Sequence, residues 1–313
     1  THCYIDDFSD NPNKVLTKEQ WYKVLTELRS AGTLYIILMG GEAMLSPHFW
    51  DVLAKSSEMS FHTSMISNGL KIQTQDIADK LKATGLKRIT FSLYSLDPSI
   101  HDKMTSVKGS FNKTMKAIEL CLNADLEVSI NSLLTEANAR GIFDIYEWCV
   151  ERQLDLNVDP NVTAKLNGNL DPTKLRAKPD TLLWFYRERS RRWPKSTPQP
   201  SMENFESYVC NAGKGKCAVN PYGELLPCIE IRDSLGSLVH GNFKEAWFSE
   251  QVKKWRDFKV KDLKGYETLE FQNHCEHCPG MAKNENGDAT TITCYTKQIT
   301  EAKLQVLKEQ GEV

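Results

Sequence analysis

The first half of the chain alternates helical and extended segments in a regular order. Helical segments carry apolar residues at helical spacing, and short runs rich in apolar and β-branched residues lie between them. The predicted helices are Lys18–Ser30, Phe49–Ser57, Thr74–Thr84, Phe111–Asn123 and Ile142–Gln153. The predicted strands are Thr33–Met39, Phe61–Ile66, Arg88–Leu93, Leu126–Leu134 and Leu154–Val158. This order predicts an α/β fold with a parallel sheet or barrel and helices outside it.

Polar segments follow each predicted strand, at the end of a parallel sheet where chemistry is usually found. They read MGGEAML, SNGL, YSLDPSIHD, LTEANARG and DPNVTAKLNG. Taken alone, Asn68-Gly69 is best explained as a turn, but five polar strand ends together favour a binding site. Glu42 has two interpretations: it grips a cationic amine beside an exposed glycine backbone, or it stabilises the start of the helix near Pro47.

Cysteines concentrate towards the end of the chain. There are nine in all, and six of them lie at or after position 210. In a chain of 313 residues this clustering favours metal ligands over disulfides. The pair in CEHC can reach one metal ion from a single turn, and a second pair can come from a distant segment. Spacing alone leaves zinc and an iron–sulfur cluster equally open.

The charge and hydropathy of the chain limit the kinds of partner that we expect it to bind. The chain has 39 basic and 41 acidic residues, so the totals point neither to nucleic acid nor to an anionic membrane surface. No apolar run has the length of a membrane span, and we expect a cytoplasmic protein. A proline-rich polar stretch interrupts the pattern, so we predict a first domain over 1–193, a linker over 194–204 and a second domain over 205–313.

Several of these motifs occur together and in order: THCYI, GGEAML, SNG, SLYSLDPSIHD and the later cysteines. In this combination the chain resembles the radical S-adenosylmethionine superfamily, in the branch with a SPASM domain. The resemblance implies a partial (β/α)6 TIM-like barrel without its first strand, followed by a cysteine-rich iron–sulfur domain. Cys3 resembles the third cysteine of the family's CxxxCxxC motif. The other two would lie upstream of Thr1, so the resemblance implies that the chain is a fragment.

The resemblance also assigns cofactor residues. In the family, the three-cysteine motif binds a [4Fe-4S] cluster that chelates S-adenosylmethionine. The resemblance therefore implies both cofactors for this chain. The GGE motif contacts the amino group of S-adenosylmethionine. The resemblance implies that Ser92 lies near the ribose, that the Tyr4 backbone lies near the adenine and that Asn131 makes a polar contact to the cofactor. The implied cofactor-binding residues are Tyr4, Gly40, Gly41, Glu42, Ser92 and Asn131. His101 and Asp102 are expected to structure a loop first and to take part in chemistry second.

The second domain matches the SPASM pattern only in part. Cys210 and the Gly223–Cys228 segment fit it, whereas the downstream part has fewer cysteines than the family. Six candidate thiolates cannot fully ligate two four-iron clusters, so we expect one complete auxiliary cluster, or one plus a smaller or incomplete one. The implied metal ligands are Cys3, Cys210, Cys217, Cys228, Cys275, Cys278 and Cys294, with Cys210, Cys228, Cys275 and Cys278 preferred for the auxiliary cluster. Cys121 and Cys149 fit core thiols on helices.

The activity that the resemblance implies is reductive cleavage of S-adenosylmethionine, followed by hydrogen abstraction from a peptide or protein side chain. We expect a maturase of a ribosomally made peptide that forms a cross-link, a thioether or an epimerised residue. Oxidation of a protein Cys or Ser, as in sulfatase maturases, is the alternative within the family. The expected partners are a peptide or protein substrate and an external electron donor of the flavodoxin or ferredoxin type, without nucleic acid or membrane. A zinc-binding, non-catalytic peptide-binding protein and a catalytically dead paralogue are the alternatives outside this chemistry.

Overall fold

The computed structural model describes residues 3–5, 15–193, 205–266 and 274–312. In its first part, strands and helices alternate as the sequence predicts. The strands are β1 (Tyr35–Leu38), β2 (His62–Ser67), β3 (Arg88–Ser92), β4 (Glu127–Leu133) and β5 (Asp155–Asp159). The helices are α1 (Lys18–Ser30), α2 (Phe49–Glu58), α3 (Gln75–Ala83), α4 (Pro98–Thr105), α5 (Ser110–Asn123), α6 (Ile142–Glu151) and α7 (Pro179–Arg192).

The five strands form one parallel sheet in the order β1-β2-β3-β4-β5. Each strand therefore pairs with its neighbours in sequence, and the helices between them cross over one face. The predicted α/β class with a parallel sheet is confirmed, as a partial barrel. The ends of the predicted elements agree with the structure to within two residues.

The alternation of side chains along the strands separates a core face from an open face. On β3, Ile89 and Phe91 are fully buried against the helices, whereas Arg88, Thr90 and Ser92 point to the other side and are partly exposed. The open face is polar on the neighbouring strands as well. It contains a cavity of about 310 Å³ that is lined by residues of β3, β4 and β5.

The second part of the chain is built from smaller elements. Three short strands, β6 (Ala218–Val219), β7 (Glu224–Leu226) and β8 (Gly236–Ser237), form an antiparallel sheet. The helices are α8 (Phe243–Trp247), α9 (Glu250–Arg256), α10 (Pro279–Asn286) and α11 (Cys294–Gln310). The predicted linker at 194–204 lies outside the described residues, and the predicted domain bounds stay predictions.

The two parts pack against each other. Helix α11 lies along α7, and its residues Tyr295 and Ile299 belong to the core of the first part. A second apolar cluster joins α1 to β7 through Val24, Leu25 and Leu225. Within the described residues, no helix has both the length and the apolar character that crossing a bilayer requires.

Candidate cofactor site and cysteine cluster

Glu42 lies directly after β1, at the carboxyl end of the sheet. Its carboxylate accepts hydrogen bonds from the Ser67 hydroxyl at 3.1 Å, from the Asn68 backbone N–H at 2.9 Å and from the Met44 N–H at 3.4 Å. These donors come from the end of β2 and from the short 3₁₀ helix Ala43–Leu45. The carboxylate is thus held in place by the protein, while its side chain remains partly exposed.

Gly40 and Gly41 leave open space beside this carboxylate. A Cβ atom at either position would meet no other atom within 4 Å, and both residues are exposed. Gly40 has a φ of +147°, which a side chain would disfavour. The backbone here is accessible to a ligand, so the open cradle and the carboxylate together fit a small molecule with a cationic amine.

Ser92 and Asn131 lie opposite each other on the adjacent strands β3 and β4. Both face the open side of the sheet, and Asn131 lines the cavity there. The Ser92 side chain hydrogen-bonds to the Tyr94 hydroxyl, and burial raises the pKa of Tyr94 to about 12. Tyr94 therefore remains a neutral phenol near neutral pH, and all three groups can hydrogen-bond to a polar ligand.

Cys3 and Tyr4 lie beside this end of the sheet. Cys3 is exposed, and the charge of its thiolate contributes to raising the pKa of Tyr94 as well as that of Tyr4. The Tyr4 carbonyl accepts a hydrogen bond from the Leu166 N–H at 2.9 Å. Burial is the main reason that the pKa of Tyr4 is raised, and the Glu230 charge adds to it. Tyr4 thus stands between the sheet and the second domain.

Two carboxyl groups lie near Tyr4, between the sheet and the second domain. Burial raises the pKa of Glu230 to about 7, and the charge of Asp159 at the end of β5 adds to the shift. One Glu230 oxygen is buried without a hydrogen-bond partner within the described residues. The surrounding protein also raises the pKa of Asp159 by desolvation, although that side chain stays in contact with solvent. Because like charges repel, the negative charge of Asp159 favours the protonated form of Glu230.

Cys228 lies near Glu230 and within electrostatic reach of two other predicted ligands. The Cys228 thiol lies within electrostatic reach of Cys210, and that of Cys278 within reach of Cys228. Cys210 and Cys228 also pack in one apolar cluster with Trp255. Burial raises the pKa of Cys278 to about 12, so the uncharged thiol is favoured until a cation replaces its proton.

Backbone N–H groups point at these sulfur atoms. The Cys210 sulfur accepts from the Ala212 N–H at 3.5 Å, and Cys228 accepts from the Glu230 N–H. Cys278 is the N-cap residue of α10, and the nearby N–H groups of Gly280 and Met281 favour the thiolate form of its side chain. Such donors stabilise a sulfur atom that carries negative charge, and N–H···S bonds to ligand thiolates are among the levers that tune iron–sulfur clusters. The donor set fits a thiolate-bound metal or cluster.

The remaining predicted ligands are distributed around this group. Cys275 is fully buried in an apolar cluster with Tyr266 and Ile292. Its thiol is hydrogen-bonded to the Thr300 side chain. Cys217 packs in the cluster that contains α1, and Cys294 is exposed at the first turn of α11. Within residues 3–5, 15–193, 205–266 and 274–312, no three His, Cys, Asp or Glu side chains are close enough to hold a metal ion. The complete ligand set therefore stays a prediction.

His101 and Asp102 have structural contacts. The His101 Nδ1 atom accepts a hydrogen bond from the Tyr94 N–H, and its ring packs against Phe111. Asp102 accepts from the N–H groups of Gly109 and Phe111, which fixes the turn into α5. Both belong to helix α4, where the sequence analysis expects a loop. Cys121 and Cys149 are buried in the core, as predicted.

Sequence patterns did not identify Tyr94, Asp159 and Glu230 as candidates. Asp159 does stand at a polar strand end, so its place in the pattern was a usable signal. Glu230 follows a cysteine by two positions, and nothing local to it indicates its approach to Asp159. Only the packing of the two domains brings these carboxyl groups together.

Comparison with known families gives two matches. Residues 1–149 match the radical SAM superfamily. Residues 210–279 match SPASM, which is described as an iron-sulfur cluster-binding domain. The first range covers β1 to β4 and most of α6, and the second contains Cys210, Cys217, Cys228, Cys275 and Cys278.

Proteins of similar sequence carry the names of different enzymes. The AdoMet-dependent heme synthase of Methanosarcina barkeri is 25% identical over 92% of this chain and 89% of its own length. The PqqA peptide cyclase of Bradyrhizobium diazoefficiens is 24% identical over 97% of this chain and 84% of its own. The solved structure of native anSMEcpe with bound AdoMet has a TM-score of 0.73 and 16% identity, and covers 99% of this chain and 93% of that one, so it bears on the fold alone.

Proposed function

From a chain that carries a radical SAM domain followed by a SPASM domain, we infer an enzyme that cleaves S-adenosylmethionine reductively and abstracts hydrogen from its substrate. The observation that carries this proposal is the site around Glu42. A pre-positioned carboxylate stands beside an open glycine backbone at the carboxyl end of a parallel sheet. The same end of the sheet holds Cys3, the candidate ligand of a [4Fe-4S] cluster.

When bound, the cluster and S-adenosylmethionine together supply one-electron cleavage of the C5′–S bond, which leaves methionine and a 5′-deoxyadenosyl radical. The chain's own residues bind S-adenosylmethionine and orient it. The Glu42 carboxylate receives the ammonium group of the methionine part, and the Gly40 and Gly41 backbone lets that part approach. Ser92 and Asn131 offer hydrogen bonds to the ribose from the open face of the sheet, and Tyr4 lies next to the cluster ligand.

For the second domain, we propose an auxiliary iron–sulfur cluster held by Cys210, Cys228, Cys275 and Cys278, with Cys217 and Cys294 as further ligands. Backbone N–H groups next to three of these sulfur atoms support this assignment. The alternative of a structural zinc ion uses the same thiolates. Metal analysis separates the two, because an iron–sulfur protein is brown with absorption near ~400 nm, whereas a zinc protein is colourless.

The substrate that we propose is a peptide or a protein side chain. The name of the PqqA peptide cyclase supports a peptide, and the relative covers nearly the whole chain. A second candidate is a heme precursor, which is favoured by the heme synthase names of the first relatives. Both substrates need the same cleavage of S-adenosylmethionine and differ only in what fills the open face of the sheet.

The experiment is an anaerobic assay of the iron-loaded full-length protein with dithionite as reductant. We expect iron at roughly four or more atoms per chain, and formation of 5′-deoxyadenosine that depends on Cys3. Cys3→Ala should abolish that product, while Cys121→Ala, a change in the helical core, should retain it. A zinc-loaded, colourless protein without 5′-deoxyadenosine would contradict the proposal.

The substrate class is then tested by mass spectrometry. Deuterium-labelled candidate peptides encoded beside the gene and a set of deuterium-labelled porphyrin precursors are each incubated with the active protein. A mass loss on a peptide with deuterium transfer into 5′-deoxyadenosine supports the peptide proposal, and the same transfer from a porphyrin precursor favours the alternative. We place the enzyme in the cytoplasm as part of this proposal, together with a protein electron donor.

A further inference from the structure

Five exposed lysines lie on the packed helices α4 and α5 and on the segments next to them, and we name this group the lysine face. Its members are Lys71, Lys103, Lys108, Lys113 and Lys116. Four of them fall within residues 103–118, a stretch with no Asp or Glu. In the described part of the chain, none of the five makes an ion pair. The chain as a whole has a net charge of −2, so this positive surface is a local feature.

The carboxylates that flank this stretch are already engaged. Asp102 accepts hydrogen bonds from the Gly109 and Phe111 N–H groups, and Glu119 lies 4.0 Å from Arg152. Helix α5 also begins within the lysine face, and the N-terminus of a helix carries a partial positive charge. The surface therefore favours an anionic partner over a cationic one.

Hydrogen bonds connect this surface to the candidate cofactor site. The Lys113 carbonyl accepts from the Gln73 side chain at 3.2 Å, and the Thr114 hydroxyl donates to the Asn68 carbonyl at 2.8 Å. The Asn68 N–H in turn donates to Glu42. The lysine face thus lies one residue layer away from the site, on the outside of the barrel.

Helix α4, which carries Lys103, also packs beside Tyr94. Cys3 lies within electrostatic reach of the Tyr94 hydroxyl, and the Tyr94 ring stands 5.6 Å from that of His101 on α4. Lys103 belongs to the same helix. A carrier that docks on the lysine face would therefore bring its redox group to the side of the barrel where we place the cluster.

We propose that the lysine face is the docking surface for a small acidic protein that carries one electron. This inference rests on the proposed function, in which each cleavage of S-adenosylmethionine consumes one electron. The carrier is oxidised by one electron. That electron and one electron of the broken C5′–S bond form a lone pair on the sulfur of methionine, and the other electron of the bond stays on C5′ as the radical. Attraction between opposite charges would speed the encounter and would weaken as the ionic strength rises.

The test compares two reductants in the iron-loaded full-length protein. The variant K103Q/K108Q/K113Q removes three charges and retains long polar side chains. With reduced flavodoxin as donor, we expect the concentration for half-maximal formation of 5′-deoxyadenosine to rise about tenfold, with a weaker salt dependence. With dithionite, the rate should stay unchanged.

A matched control removes three exposed lysines elsewhere, as K87Q/K244Q/K253Q. Its half-maximal flavodoxin concentration should stay within about twofold of the wild-type value, because rim charges far from the contact affect only the net charge. Zero-length carbodiimide cross-linking to flavodoxin gives a second readout. We expect peptides that contain Lys103, Lys108 or Lys113 to be joined to carboxylates of flavodoxin.

Three outcomes would overturn the docking proposal. They are an unchanged response of K103Q/K108Q/K113Q to flavodoxin, an equal loss in the control variant, and an equal loss with dithionite. Cross-links confined to other lysines would overturn it as well. Failure of the proposed function looks different, because the wild-type protein would then form no 5′-deoxyadenosine with dithionite.

Discussion

At the scale of single residues, Glu42 shows how the fold prepares a binding group. Its carboxylate receives two hydrogen bonds from the end of β2 and one from the turn that it caps. These bonds orient the side chain before any ligand arrives, so little conformational entropy is lost when a ligand binds.

Glu42→Gln tests this role. The amide keeps one acceptor oxygen but loses the charge that attracts an ammonium group, so we expect binding of S-adenosylmethionine to weaken by about 10- to 100-fold, in line with a lost hydrogen bond between charged groups. The measurement is the equilibrium dissociation constant of S-adenosylmethionine for the iron-loaded protein. Ser67→Ala is the matched control, since it removes one bond to Glu42 at 3.1 Å without touching the charge. Equal weakening in both variants would mean that orientation, and not charge, dominates.

At the scale of elements, helix α10 carries Cys278 at its N-cap and depends on a close approach of two backbones. A Cβ at Gly280 would lie 2.7 Å from the Glu230 Cβ and 2.9 Å from its carbonyl oxygen. Only glycine allows the first turn of α10 to rest on the segment that follows Cys228. This approach brings the thiols of Cys228 and Cys278 together.

Gly280→Ala should separate these two segments. Since backbone atoms cannot yield as a flexible side chain does, we expect the free energy of unfolding to fall by about 1–3 kcal/mol. We also expect the auxiliary iron content to drop, because two of the proposed ligands move apart. Gly215→Ala is the control, for Gly215 is exposed and its Cβ would meet nothing within 4 Å. Urea unfolding and iron analysis of both variants check the prediction, and an unaltered iron content in Gly280→Ala would count against the proposed ligand pair.

Helices and strands in which apolar residues recur with a clear period can be predicted from the sequence, whereas shorter elements cannot. Strand β3 and helix α5 follow from their apolar spacing, which tertiary packing reinforces. The sequence pattern does not predict helix α4, although Asp97 caps it and Pro98 opens it, because its eight residues give a weak period. Strands of two or three residues, such as β6 and β7, are too short for any alternation to show. Glu42 could be found from its glycines, but the approach of Glu230 to Asp159 arises only from packing between domains.

At the scale of the whole molecule, the two domains are joined by a partly buried ion pair. Arg176 forms a bidentate pair with Glu285 of α10, with 3.0 Å between Arg176 Nη1 and Glu285 Oε1. The Arg176 Nε–H also donates to the Val162 carbonyl at 2.8 Å, and its guanidinium lies over the Tyr295 ring at 4.5 Å. One side chain thus connects the loop after β5 with both α10 and α11.

Arg176→Met should break this connection. The side chains of the pair are only 17% and 14% exposed, so the change leaves the Glu285 carboxylate with little water and no cation. Removing one member of a buried pair costs about 3–5 kcal/mol, and we expect a loss of stability near that size. Arg187→Met is the matched control, because Arg187 and Glu309 are 38% and 41% exposed and such surface pairs contribute about 0–1 kcal/mol. Urea unfolding followed by tryptophan fluorescence measures both variants.

The double variant R176M/E285M distinguishes an unpaired charge from lost packing. If the stranded carboxylate causes the loss, replacing it with an apolar side chain of similar length should restore most of the stability, since apolar replacements of buried pairs are often neutral. If the lost contacts with Val162 and Tyr295 dominate, the double variant should remain as unstable as the single one. In the first case the pair fixes how α10 meets the barrel, and with it the position of Cys278 relative to the open face of the sheet.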